Sequence, residues 1–148
     1  MADVYDAATR SRTMAAVKGR DTTPELRLRR ALHALGLRHR LGGAGLPGRP
    51  DHVYPRPRAA VFVHGCFWHR HPGCPRATTP ATRTDYWGPK FARNVARDAE
   101  VEAALLALGW RVGVVWECGL GVRRTPETAR ACADWLRGDA PRFETPES

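Results

Sequence analysis

The chain has 148 residues, 43% of them hydrophobic, so one domain with a real core is expected rather than an extended or disordered chain. Its 24 Lys and Arg outnumber 15 Asp and Glu, a formal net charge of +9; such a field gathers polyanions, and nucleic acid is the leading class of partner. No apolar run approaches the ~18 residues of a membrane-spanning helix and the opening MADVYDAATRSRTM has no signal-peptide core, so a cytosolic protein is expected, its four cysteines free, catalytic or metal-bound rather than a disulfide frame.

Residues 1–20 are polar and basic. Arg10, Arg12, Lys18 and Arg20 read as an arm or short helix over the body that grips DNA phosphates. A helix start follows at Asp21-Thr22-Thr23-Pro24-Glu25: threonine caps, proline is tolerated in the first turn, and glutamate suits the positive helix end. Leu28, Leu32 and Leu35 recur at helical spacing and Gly36 stops them. The Gly/Pro-rich residues 41–50 form a loop. Strands are expected at 51–54 and 59–64 (AAVFVH), with Pro55-Arg56-Pro57-Arg58 as the turn between them. After a loop that runs to Pro89, residues 90–108 are the longest predicted helix, with Phe91, Val95, Val101, Leu105 and Leu108 on one face and Gly109 at its end. Residues 110–117 (WRVGVVWE) are another core strand. Thr125-Pro126-Glu127 opens a last helix, with Ala129, Cys132, Ala133 and Leu136 inward and Gly138 at its end. The tail 139–148 is expected to be flexible and frayed, outside a single domain over 1–138. The order helix, two strands, helix, strand, helix predicts an α/β fold, a small mixed β-sheet flanked by helices.

The segment HGCFWHRHPGC, from His64 to Cys74, concentrates three of the six histidines and two of the four cysteines around Phe67 and Trp68. Cys66, His71 and Cys74 follow the spacing C-x4-H-x2-C, and Cys118 closes the strand at 110–117. Three thiolates and an imidazole are the soft tetrahedral set of a closed structural zinc site. His69 could replace His71 in that set. Cys132 reads as a small buried residue.

Hydrolysis of a phosphodiester needs a nucleophilic water, an electrophile on the phosphate and a proton for the leaving oxygen. Asp51 opens a short strand beside the end of the next, so the Val63 backbone can offer a carbonyl to the same Mg²⁺. Histidine is the residue type suited to moving a proton near neutral pH, which makes His69 the candidate for that role, and Glu25, in the first turn of a helix, can reach into a cleft. Read alone, Asp51 is equally a turn residue, Glu25 a helix-terminus carboxylate and His64 a strand-end histidine. A paired carboxylate-plus-lysine set behind Asp51 is lacking, so histidines would take those roles. Together these residues point to a metal-dependent DNA endonuclease with a structural zinc.

The runs LPGRPD, VFVHGCFWHRHPGC, PATRTDYW and GWRVGVVWEC, with the opening MADVYDAATRSRTMAAVKGRDTTPE, resemble the very-short-patch mismatch repair endonuclease (Vsr) family over residues 1–137. The resemblance implies a restriction-endonuclease-like α/β core and nicking of one strand beside a T:G mismatch left by deamination of 5-methylcytosine. It puts Asp51 on the metal-binding aspartate with the Val63 backbone as a further ligand, His69 on the general base, and His64 and Glu25 on supporting positions. Cys66, His71, Cys74 and Cys118 fall on zinc ligands. Phe67, Trp68 and Trp87 fall on aromatics that wedge into the DNA stack, a role with its own logic, because a mismatch is cheaper to unstack than a normal pair.

Two departures stand out. Position 63 is Val where the family usually has Thr, which is harmless if only the carbonyl binds metal. The loop before Cys74 carries Pro72-Gly73 where the family is histidine-rich and one residue shorter, which could shift the wedge and the preferred mismatch. The expected partner is double-stranded DNA with a mismatch, with other DNA-repair proteins as further partners, and the expected state is a monomer. The alternatives are a same-fold nuclease of relaxed specificity, a non-cutting mismatch-binding module, and a zinc-stabilised DNA-binding regulator.

Overall fold

In the computed structural model, residues 22–39 and 45–146 are described; the basic arm with Arg10, Arg12, Lys18 and Arg20 lies outside the described residues. Helix α1 spans Thr23–Ala34, where the Thr22 side chain accepts from the Glu25 N–H and Leu28 and Leu32 are buried. Strand β1 (His52–Tyr54) turns back as β2 (Ala59–His64), antiparallel, with His52 opposite Val61. Helix α2 (Thr84–Ala107) leads to β3 (Arg111–Trp116), parallel to β2 with His64 beside Trp116. A short 3-10 turn (Glu117–Gly119) precedes α3 (Thr125–Arg137) and β4 (Arg142–Thr145), which lies parallel to β3. The sheet order is β1-β2-β3-β4, so the described residues form a small mixed α/β fold. No described helix is long and apolar enough to cross a membrane.

Strand alternation assigns the two faces. Ala59, Val61 and Val115 pack with Leu28 and Leu32 of α1 and with Ala129, Cys132, Ala133 and Leu136 of α3. Ala60, Phe62 and Val112 pack instead under Leu105 of α2. Gly113 is required on the α3 side, since a Cβ there would stand 2.7 Å from the Trp135 ring.

Two expectations are corrected. Helix α2 begins at Thr84, six residues before Lys90, and carries Pro89 inside it. The early start packs Trp87 against Phe67 (5.7 Å) and Phe91 (5.6 Å), contacts that outweigh the backbone hydrogen bond a proline forfeits. The inward stripe of this helix also runs Phe91, Asn94, Asp98, Val101 and Leu105, so Val95 and Leu108 are exposed. The tail is the second correction. Residues 142–145 are a strand because β3 still has a free edge to fill, and side chains hold them there. The Trp116 indole N–H donates to Glu144 at 2.8 Å, Phe143 stacks on Trp135, and Arg142 bridges Glu102 and Glu144.

Candidate active site and metal centre

A cleft of about 470 Å³ opens where the N-terminus of α1, the loop before β1, the end of β2 and the flank of α2 meet. Glu25, Asp51, Val63, His64 and His69 all line it, so the candidates read separately from the sequence share one wall. Asp51 immediately precedes β1, and its Oδ2 accepts from the Val63 N–H at 2.7 Å. The Val63 N–H, rather than its carbonyl, is thus the group that meets the aspartate. Burial pushes the Asp51 carboxyl up to about 8; the Val63 N–H works against the rise and the neighbouring Glu25 adds to it. Glu25 is itself only 3% exposed. Two carboxyls side by side in the cleft wall form an oxygen set that suits a hard divalent ion.

Facing this pair, the His69 ring stacks on His64 at 3.9 Å, 6° from parallel. Burial, and then His69, pull His64 down to about 3, which keeps it neutral. His69 Nδ1 meets Asp98 Oδ2 at 2.7 Å, and one turn earlier Asn94 Nδ2 donates to the Trp68 carbonyl at 3.1 Å. Sequence reasoning missed Asp98 and Asn94. The signal was present, because polar residues interrupt the inward stripe of α2 between Phe91 and Val101, where core packing alone would place apolar ones.

Beyond β2 lies the second cluster. The ligand atoms of Cys66, His71, Cys74 and Cys118 all lie within 4.8 Å of one another. His71 Nδ1 is 3.7 Å from Cys66 Sγ and 3.6 Å from Cys118 Sγ. Its Nε2 faces the Pro146 carbonyl at 3.0 Å. An Nε2–H donor there leaves the Nδ1 lone pair aimed at the thiols, the tautomer a metal ligand needs. The Trp116 ring stacks on this imidazole at 4.3 Å. His69, the alternative ligand, faces the cleft instead. Burial pushes the Cys66 thiol up to about 12 and raises the Cys118 thiol, while hydrogen bonds from the backbone and the other two thiols hold Cys74 down against its own desolvation; a soft cation would hold all three as thiolates. The residues fit a closed four-coordinate ion. Cys132 lies in the α3 core, apart from this set.

Between the two sites Phe67 stands edge-on to Trp68 (5.1 Å) and to Trp87 (5.7 Å). All three rings are half-buried. Arg70, which the sequence reading passed over, fixes their loop. Its guanidinium lies 4.0 Å from the centre of the Phe91 ring and donates to the carbonyls of Phe67, Ala77 and Thr78 and to the Thr79 hydroxyl.

Comparison with known proteins bears on this arrangement. Residues 2–75 match the family model described as DNA mismatch endonuclease Vsr. The chain is 46% identical over 142 residues to the DNA mismatch endonuclease Vsr of Escherichia coli (strain K12), spanning 94% of this chain and 90% of that protein. It is 49% identical over 120 residues to the type II nicking enzyme V.XorIIP of Xanthomonas oryzae pv. oryzae, 81% of this chain and 88% of that one. Identity to the type II nicking enzyme V.NaeI of Lentzea aerocolonigenes is 45% over 115 residues, 74% and 68% of the two chains. With likeness of this extent running through the cleft and the cysteine cluster alike, the chain belongs to the Vsr family of DNA mismatch endonucleases.

Proposed function

We propose that this endonuclease is Mg²⁺-dependent and nicks one DNA strand beside a T:G mismatch, the product of 5-methylcytosine deamination, in very-short-patch repair. The observation that carries the reading is the convergence of Asp51, Glu25, His64 and the His69–Asp98 pair in one cleft. Asp51 would hold the Mg²⁺, with the Val63 backbone and Glu25 beside it. Bound there, the ion supplies an electrophile for the phosphate and a more acidic water. Asp98 accepts from His69 Nδ1–H, which leaves the Nε2 lone pair of His69 to take the proton of the attacking water. Neutral His64 packs flat on His69 and stops the ring from turning. Cys66, His71, Cys74 and Cys118 would hold Zn²⁺ in a structural role, since four protein ligands leave no open position for chemistry.

Phe67, Trp68 and Trp87 are the proposed wedge, because ring faces stacked on bases contribute roughly 1–3 kcal/mol per base. Arg10, Arg12, Lys18 and Arg20 are the proposed phosphate contacts of the arm. A restriction-endonuclease-like core, one domain that takes in β4 and acts as a monomer, a cytoplasmic location at the DNA and repair proteins as further partners complete the reading. The deciding experiment is a nicking assay with Mg²⁺ on duplexes that hold one T:G pair, beside matched duplex and Asp51→Ala protein. A nick at the mismatch, absent with Asp51→Ala, supports the reading. Tight T:G binding without a nick overturns it in favour of a non-cutting module, and cutting of matched DNA replaces its specificity with a relaxed one.

A further inference from the structure

The cleft that must receive a polyanion is itself crowded with carboxylates. Glu25, Asp51, Asp98, Glu102 and Glu117 line it, against two cations, Arg49 and Arg97. The acids have partners within the protein, such as His69 for Asp98 and Arg142 for Glu102. Both arginines are exposed, and among the described residues neither guanidinium makes a hydrogen bond, ion pair or ring contact. Two exposed guanidiniums with no described partner, set among five acids, are available to an anion from outside the chain.

The backbone carries a second sign. Among the described residues four non-glycine residues have positive φ, all of them arginines: Arg49, Arg58, Arg70 and Arg83. In three the side chain makes a contact that accompanies the strained backbone. Arg58 donates to the Leu108 carbonyl, Arg70 staples its loop, and Arg83 lies over the Tyr86 ring. Arg49, at φ 48, has none among the described residues. Strain without an internal contact marks a residue held for something outside the chain. Its position is fixed by Gly48, where a Cβ would come within 2.3 Å of Val101 Cγ1. Only glycine lets the loop lie on α2 at Val101, one turn beyond Arg97. Both guanidiniums therefore spring from the same rim, Arg49 two residues before Asp51 and Arg97 one before Asp98.

We propose that Arg49 and Arg97 form a paired phosphate grip that binds a backbone phosphate of the cleaved strand at the cleft mouth. Two planar forks from neighbouring points suit the tetrahedral oxygens of one phosphodiester. The grip offsets the carboxylates that would otherwise repel the strand and sets it against Asp51. This inference rests on the nuclease reading above.

The test is a coupling measurement that does not depend on cutting. T:G duplexes carry a single neutral methylphosphonate at each linkage flanking the mismatch in turn, and binding is read by anisotropy with Ca²⁺ in place of Mg²⁺. Wild-type protein is expected to lose about 10-fold in affinity at one linkage, the size of a charged hydrogen bond. Arg49→Ala and Arg97→Ala should lose that affinity on natural DNA and be indifferent to the same methylphosphonate, with a salt slope reduced by about 1 each. Arg97→Lys should recover part of it. Arg30→Ala, the same charge change on α1 outside the cleft, should behave as wild type. Arg49→Gly guards against misfolding: it relieves the backbone strain, so it should melt no lower than wild type and still bind weakly. Losses that simply add at every linkage overturn the grip even if wild-type protein nicks T:G DNA. Coupling without any nick keeps the grip and overturns the nuclease reading.

Discussion

The Asp98 carboxylate stands 2.7 Å from His69 Nδ1, which ties the loop after β2 to the helix that covers it. A carboxylate in that place holds one imidazole tautomer and steadies the imidazolium when a proton arrives. Asp98→Asn keeps the shape and loses both effects. Single-turnover nicking should fall by about 10²- to 10⁴-fold, the usual span for a general base, with DNA affinity little changed. The double variant with His69→Ala should be no slower than His69→Ala alone, because the two act as a unit. Additive losses would show that Asp98 acts elsewhere.

The four-ligand cluster predicts one tightly held Zn²⁺ per chain. It joins the loop after β2 to the turn after β3, and the Pro146 carbonyl on His71 ties in the tail as well. Removing the ion should cost about 3 kcal/mol or more, a fall of about 10 °C in melting temperature for a domain of this size. Deletion of residues 142–148 should speed zinc loss to a colorimetric chelator while leaving the four ligands in the chain. Metal-free protein that melts like the purified form would remove the site.

Asp51 sets a pH dependence that Mg²⁺ should reverse. Its carboxyl rises from an ordinary value near 3.8 to about 8 in the folded protein. Between these values the unfolded chain has released a proton that the folded chain keeps, so this group's contribution to stability falls as pH rises through that window. Comparison with Asp51→Asn isolates it. Bound Mg²⁺ must displace the proton, so affinity should climb with pH up to about 8, by as much as about tenfold per unit. Titrations of Mg²⁺ at about pH 6 and about pH 8 with equal affinities would show that the ion binds without Asp51.

Most of the fold was legible because its signals were local. The cap at Thr22, the apolar run Ala59–His64 and the stop at Gly138 coincide with element ends. The first turns of α2 were not, since Gly88 and Pro89 argue locally for a loop and only the packing of Trp87 on Phe67 and Phe91 overrides them. β4 was invisible for a similar reason: its partner edge belongs to β3, about thirty residues away. At the site, histidines and cysteines announced themselves by density. Asp98 and Asn94 did not, because a charged residue on a long helix is ordinary until its face is known. Arg49 was hidden further, since its left-handed backbone has no sequence signature outside glycine and asparagine.

His52 offers a prediction about the scaffold rather than the chemistry. It follows Asp51 directly, and strand alternation turns it away from the cleft into the α1 side of the sheet. The side chain is fully buried, its ring lies 4.8 Å from the His39 ring at a tilt of 38°, and neither ring nitrogen has a hydrogen-bond partner among the described residues. Burial, then His39 and Arg29, pull it down to about 3. A base with a lowered value loses stability as pH falls, because between about 6.5 and 3 the unfolded chain takes a proton that the folded one refuses. His52→Phe keeps the ring and removes two stranded polar atoms, so it should stabilise the protein by about 1–3 kcal/mol at neutral pH. The gain should widen at about pH 5, where wild type pays the protonation penalty and the variant does not. Nicking at about pH 8 should be unchanged, because Asp51 points to the other face. Denaturant unfolding of both proteins at the two pH values decides it: a variant that is less stable at both would mean that His52 is held by partners its geometry does not reveal.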